Sequence, residues 1–176
     1  MTPFVSYISE ICRLYVVVLL LASAAGKSFA FDEFEWTILD ATHVSQSTAR
    51  AAAVGIIAAE YLAALMSAIG GAFAQWGMVT ALLLSVLFTA FITTMLFQGK
   101  AVRCNCFGGA STEMISRLDL VRNGVLAACC AIYLLLGRDP GSSPSAVVTL
   151  LLLAVALIGL IFTANVKGIA RILRES

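Results

Sequence analysis

Long apolar stretches separated by short polar segments run along almost the whole chain. The uncharged stretch from Tyr61 to Gly99 has 39 residues, about twice the roughly 20 that an α-helix needs to cross a bilayer. Gly70-Gly71 interrupts this stretch, and a glycine pair is typical of a turn. The pattern therefore predicts two membrane-spanning helices, at about 51–69 and 73–97, joined by a tight turn.

Further spans are predicted on either side of this hairpin. Residues 118–137 and 145–166 are each long enough to cross, and the proline-bearing segment between them supplies a turn. The first span is less clear, because the uncharged stretch 14–26 has only 13 residues and full length requires Glu10 and Arg13. These two residues are three apart on a helix, so we expect them to pair. Cleavage of this span as a signal peptide is the alternative, although its N-terminal part has no net positive charge.

The only long polar stretch, at about 27–50, separates the first two spans. At helical spacing it divides into an apolar face and an acidic face. We expect the apolar face to hold Phe29, Phe31, Phe34 and Ile38, and the acidic face to hold Asp32, Glu33, Glu35 and Asp40. This pattern predicts a short interfacial helix after the first span.

The composition agrees with a membrane protein. Apolar residues make up 61% of the chain and charged residues 12%, whereas a soluble domain is about half apolar and a quarter charged. The net charge of +1 leaves no basic surplus for a nucleic acid, so the expected partner is the lipid bilayer. Because no repeat or linker divides the chain, we predict one all-α domain over residues 1–176, an integral membrane helical bundle of about five transmembrane helices.

The distribution of lysine and arginine predicts an orientation in the cell (plasma or inner) membrane. With five spans, eight basic residues lie on the side of the first connection, the third connection and the C-terminus, and only Arg138 lies on the other side. Cytoplasmic segments carry the excess of basic residues. We therefore expect a multi-pass protein whose C-terminus and third connection face the cytoplasm.

Cys104 and Cys106, in the third connection, are the candidate catalytic residues. Because one residue separates them, a disulfide between them closes a small, strained and readily reduced ring. The adjacent Arg103 favours the thiolate, which is the nucleophile in disulfide exchange. The alternatives are two reduced cysteines without a role, or a soft-metal site, in which His43, the single histidine, is a weak third ligand.

Three polar residues inside the predicted spans are candidate supporting residues. Glu60 lies near the middle of the second span, where a carboxylate is costly unless it is paired, hydrated or protonated. Arg13 and Arg122 are its candidate partners, and a purely structural Glu60–Arg13 pair is one interpretation. Arg122 and Asn123 offer a cation and an amide to an anionic or carbonyl group in the interior, unless Arg122 extends to the interface.

The other cysteines are expected to serve packing. Cys129 and Cys130 are adjacent near mid-membrane, and neighbouring cysteines form a disulfide only with a distorted peptide. Cys12 also lies in a largely apolar segment, and buried thiols behave as small apolar side chains. A second redox pair, Cys129 with Cys130, is the alternative.

Several motifs together resemble those of a known family. They are Ala24-Ala25-Gly26-Lys27 at the end of the first span, Glu60 in the second, Cys104-Asn105-Cys106-Phe107-Gly108, and Arg122-Asn123. From about Leu14 to Leu136 the chain is similar to the methylamine utilisation protein MauE family, which belongs with the DoxX-like membrane proteins. The resemblance implies a four-helix DoxX-like core plus one helix, and it adds Lys27 to the supporting residues.

The resemblance also implies an accessory role in the maturation of methylamine dehydrogenase, through processing, transport or disulfide formation of its disulfide-rich small subunit. We expect thiol–disulfide redox chemistry at Cys104 and Cys106, with a thioredoxin-like protein or the exported subunit as partner and a quinone as candidate acceptor. An exported substrate conflicts with the cytoplasmic side expected for the cysteines. The alternative functions are a soft-metal binder or transporter and a non-redox membrane chaperone.

Overall fold

The computed structural model describes residues 3–98, 117–136 and 146–175, and these residues form six α-helices. Side chains are described for residues 5–98, 119–136 and 147–161. In chain order the helices are α1 (Pro3–Phe29), α2 (Phe31–Thr42), α3 (Gln46–Ile69), α4 (Gly71–Phe97), α5 (Arg117–Leu136) and α6 (Ala146–Glu175). Within these ranges the chain forms no strand. The predicted all-α helical bundle is confirmed.

Four of these helices are long and apolar enough to cross a membrane. They contain the segments Val5–Phe29, Gln46–Ile69, Gly71–Phe97 and Asp119–Leu136. In α6 the described side chains form a shorter apolar segment, Val147–Ile161. The chain is therefore a multi-pass membrane protein, and the fifth span stays a prediction.

The first helix, α1, lies at the centre of the bundle. Half of its apolar window is buried, compared with 28% in α3 and in α4 and 22% in α5. Its side chains between Leu14 and Leu20 form the main core together with residues of α3, α4, α5 and α6. A polar residue on the inner face of α1 is thus sheltered from lipid and must find its partner inside the bundle.

The turn between α3 and α4 is the predicted one. Gly70 and Gly71 have φ angles of 87° and 58°, which favour glycine because it lacks a Cβ atom. Further into α4, a Cβ atom added to Gly77 would lie 2.6 Å from the backbone nitrogen of Ser67 and 2.8 Å from the carbonyl oxygen of Ala63. Glycine at this position therefore allows α3 and α4 to pack closely.

The predicted short helix after the first span is present as α2, with two corrections to its faces. Phe34 is buried against Ala53 and Ile57 of α3, and Phe31 and Ile38 pack beside them. Phe29 is 91% exposed, because it still belongs to α1 and does not share the periodicity of α2. Glu35 is buried, because it lies four residues after Phe31 and three before Ile38 and so shares their face.

Candidate functional site

One polar cavity lies between α1, α3, α4 and α5. Its volume is about 40 Å³, room for two or three water molecules at roughly 10–15 Å³ each. The side chains that line it include Lys27, Glu60, Arg122 and Asn123. These are the four supporting residues of the sequence analysis, and the structure brings all of them together.

Lys27 and Glu60 form a buried ion pair that joins α1 to α3. The Lys27 Nζ atom lies 2.6 Å from Glu60 Oε1 and also donates a hydrogen bond to Ser23 Oγ at 2.6 Å. Ser23 Oγ donates to the same Glu60 oxygen at 3.1 Å. The two charged residues are only 1% and 2% exposed. Because an unpaired charge is costly inside a bilayer, each side chain stabilises the other in its charged form.

Two aromatic rings lie close to the Lys27 ammonium group. The Nζ atom is 4.6 Å from the ring centroid of Phe88 on α4 and 5.7 Å from that of Phe34 on α2. A ring face attracts a cation at such distances. In addition, Lys27 lies in the last turn of α1, where the helix dipole favours a positive charge. The ammonium group is therefore held from four helices.

The second carboxylate oxygen of Glu60 is buried and has no hydrogen-bond partner among the described residues. A carboxylate has capacity for about four hydrogen bonds, and buried polar atoms are rarely left unpaired. Since Glu60 lines the cavity, a water molecule or another polar group in that space would satisfy this oxygen. The free oxygen therefore offers a hydrogen-bond acceptor to a polar group in the cavity.

One face of α5 supplies the opposite wall of the cavity. Asp119, Arg122, Asn123 and Leu126 all line it, and their spacing of three and four residues places them on one side of the helix. Asp119 is buried. The cavity thus contains two cations, Lys27 and Arg122, and two carboxylates, so that a proton or a polar molecule in it meets charges of both signs.

Three polar lining residues were not predicted from the sequence, namely Asp119, Ser23 and Ser85. Asp119 could have been found, because it lies three residues before Arg122 on the same helical face. Ser23 could have been found in the same way, because it lies four residues before Lys27 on one face of α1. Ser85 could not have been found, since serine is common on buried helix faces and its hydroxyl donates to the carbonyl oxygen of Leu82 within α4.

Arg13 is not the partner of Glu60, so that candidate partnership is wrong. Arg13 pairs with Glu10, as their spacing predicted, and its Nη1 atom donates to the carbonyl oxygens of Ser67 and Ala68 at 2.5 and 3.3 Å. Those carbonyls belong to the last turn of α3, where no later residue of the helix supplies an N–H group to donate to them. Because α1 and α3 are antiparallel, Arg13 meets the end of α3 whereas Glu60 meets Lys27.

The predicted catalytic pair, Cys104 and Cys106, lies outside the described residues, and its catalytic role stays a prediction. The helices on either side of that segment are α4, which ends at Phe97, and α5, which begins at Arg117. Both contribute cavity-lining residues near these ends, Ile92 and Asp119. The cavity therefore lies at the end of the bundle where the cysteine-bearing segment joins the helices.

His43 is an exposed residue at the C-terminal end of α2. It has a φ angle of 53° and its backbone N–H donates to the carbonyl oxygen of Leu39 at 2.9 Å. Nowhere in the described ranges do three His, Cys, Asp or Glu side chains lie close enough to hold a metal ion. The metal site of His43 with Cys104 and Cys106 extends beyond those ranges and stays a prediction.

The remaining three cysteines belong to α1 and α5 and are largely shielded by the bundle. Cys130 is fully buried in the main core, and Cys129 packs against that core. Cys12 on α1 is also buried.

Comparison with known proteins identifies the family. No curated protein and no solved structure matches the chain. The family model of the methylamine utilisation protein MauE matches residues 5–136, which is well over half of the 176 residues. The match includes every residue that lines the cavity and both Cys104 and Cys106. The chain therefore belongs to the methylamine utilisation protein MauE family, and it is a multi-pass membrane accessory of methylamine utilisation.

Proposed function

We propose that this protein carries out thiol–disulfide redox chemistry during the maturation of a partner subunit. Cys104 and Cys106 are the reacting thiols in this proposal, and the polar cavity is the site that takes up and releases protons. The observation that carries the proposal is the convergence of Lys27, Glu60 and the polar face of α5 on one cavity. A purely structural ion pair would need neither that cavity nor the second cation and second carboxylate in it.

The proposed reaction is a disulfide exchange followed by reoxidation. A thiolate of the partner attacks the Cys104–Cys106 disulfide and forms a mixed disulfide, which the second thiol of the partner resolves. The partner leaves with a disulfide, and Cys104 and Cys106 are left as thiols. Reoxidation removes two electrons and two protons, which a membrane quinone is suited to accept as it becomes a quinol.

The cavity supports this reaction through the unequal roles of the two Glu60 oxygens. Oε1 is held by Lys27 and Ser23 at 2.6 and 3.1 Å, while Oε2 has no partner among the described residues. The first oxygen fixes the position of the carboxylate, and the second is available to take a proton. A carboxylate placed in this way is a general base whose proton passes through water in the cavity.

The partner implied by the family is the disulfide-rich small subunit of methylamine dehydrogenase, with a thioredoxin-like protein as the alternative. Direct oxidation of an exported subunit requires Cys104 and Cys106 on the outer side, whereas the basic residues predict the inner side. Labelling of intact cells with a membrane-impermeant maleimide, before and after reduction, reports both the side and the redox state of these cysteines. Labelling from outside only after reduction is the result that direct oxidation predicts.

The decisive test replaces either cysteine by serine in cells that produce this chain together with the small subunit. Cys104→Ser and Cys106→Ser are each expected to lower the oxidised fraction of the subunit's cysteines to the level of cells without the chain, while membrane insertion stays normal. Alkylation of free thiols followed by mass analysis measures this fraction. Cys130→Ala is the matched control, since Cys130 is a buried core residue away from the cavity. Normal oxidation in both serine variants would refute the proposal.

A further inference from the structure

Asp119 is a buried carboxylate that has no part in the reaction proposed above. It is 7% exposed, compared with 2% for Glu60, and both residues line the polar cavity. A carboxylate is seldom buried, least of all inside a membrane protein, unless it is paired or has a functional use. The Lys27–Glu60 pair is complete without Asp119, so the second carboxylate of the cavity is a candidate for a role of its own.

The two carboxylates occupy different positions along their helices. Asp119 lies in the first turn of α5, where the helix dipole favours a negative charge. Glu60 lies more than two helical turns from either end of α3. The cavity therefore extends from a carboxylate inside the bundle to one at the end where the cysteine-bearing segment joins α5.

The space between the two carboxylates is polar, and its charges are balanced. Among the lining residues, α1 contributes Lys27, α3 contributes Glu60, and α5 contributes Asp119 and Arg122, whereas the lining residues of α4 carry no charge. Oε2 of Glu60 is buried and has no hydrogen-bond partner among the described residues. The cavity volume of about 40 Å³ is room for roughly two or three water molecules. Water in this space can donate to one carboxylate and accept from the other, and so carry a proton between them.

We propose that Asp119 is the proton-exchange residue of the cavity, through which protons pass between Glu60 and the water at that end of the bundle. A protonated Glu60 gives its proton, through water in the cavity, to the Asp119 carboxylate, which then releases it to the water outside. Uptake follows the same steps in reverse. Each transfer breaks one O–H bond and forms another, and no electrons are exchanged. The inference rests on the proposed function, because it names the route by which that cavity takes up and releases protons.

Infrared difference spectroscopy of the full chain in lipid vesicles tests this route, because it distinguishes a protonated carboxyl group from an ionised one. The band that disappears in Glu60→Gln belongs to Glu60. After a rapid fall in pH, this band is expected to grow about 100-fold more slowly in Asp119→Asn than in the natural chain, the lower end of the effect of a positioned proton-transfer group. Glu60 should still become protonated in the end, since only the route is removed. Asp40→Asn makes the same chemical change on an exposed position of α2 and should leave the rate unchanged.

A second variant separates proton exchange from packing. Asp119→Glu keeps a carboxyl group and should restore most of the natural rate, and Asp119→Ser replaces Asp119→Asn in the comparison if the latter does not fold. An unchanged rate without the carboxylate, equally slow exchange in Asp119→Glu, or a natural chain whose Glu60 band does not respond to pH would overturn the proposal. All these chains carry serine at both Cys104 and Cys106 and are measured without a partner subunit. A failure of the cysteine test is therefore distinguishable from a failure of this one.

Discussion

Two ion pairs on α1 differ in almost every respect. Glu10 and Arg13 are neighbours on one helical face, and their side chains are 16% and 13% exposed. Lys27 and Glu60 come from different helices, and their side chains are 1% and 3% exposed. Arg13 binds the terminal carbonyls of α3, whereas Lys27 lines a cavity together with three other charged residues.

The comparison separates an ion pair that fastens two helices from one that belongs to a working site. In the Glu10–Arg13 pair, Arg13 also donates hydrogen bonds to the last carbonyl groups of α3, and these bonds hold α1 and α3 together. The Lys27–Glu60 pair leaves one carboxylate oxygen without a partner among the described residues, although a pair that served stability alone would gain from a partner there. The incomplete pair is therefore the functional candidate, and the more complete pair is a structural clasp.

Replacement of Lys27 by methionine is expected to have the largest effect on stability. It leaves the Glu60 carboxylate buried without its cation, and removal of one partner of a buried pair costs about 3–5 kcal/mol. Reversible unfolding in mixed detergent micelles measures this free energy. The double variant Lys27→Met, Glu60→Gln removes both charges and should recover more than half of the loss. A single variant as stable as the natural chain would show that the pair is not buried in the folded protein.

Replacement of Arg13 by methionine is expected to lower the free energy of unfolding by a smaller amount, about 1–2 kcal/mol. The Glu10–Arg13 pair is local and partly exposed, and the carbonyl groups at the end of α3 can accept hydrogen bonds from other donors. The same unfolding measurement applies. Since Arg13 does not line the cavity and lies 14 residues before Lys27 on α1, the oxidised fraction of the partner subunit should not change. A stability loss equal to that of Lys27→Met would remove the distinction between the two pairs.

The sequence predicted four polar residues of the cavity but not their pairing. Glu60, Arg122 and Asn123 stand out because polar side chains are costly inside spans, and the family resemblance added Lys27. Which of them meet depends on the rotation of α1 against α3 and α5, and many rotations bury similar apolar side chains. The sequence therefore offered Arg13 and Arg122 as partners of Glu60, while the antiparallel packing of α1 and α3 places Lys27 there.

Local contacts were easier to predict than contacts between helices. The Glu10–Arg13 pair followed from spacing along one helix, and the Gly70-Gly71 turn followed from glycine's backbone freedom. The contact between Lys27 and Glu60 depends on the relative register of α1 and α3, which no local pattern encodes. Contacts within a helix or a turn were thus predictable here, and contacts between helices were not.

The central claim is that the cavity serves the redox function and not the stability of the bundle, and Asn123→Leu tests it most directly. This replacement leaves the Lys27–Glu60 pair in place but removes the amide from the α5 wall of the cavity, while Val125→Leu makes a matched change on an exposed position of α5. The measurement is the oxidised fraction of the partner subunit in cells that contain equal amounts of each variant. We predict a fall to the level of cells without the chain for Asn123→Leu and no change for Val125→Leu. Normal oxidation with Asn123→Leu would contradict the account.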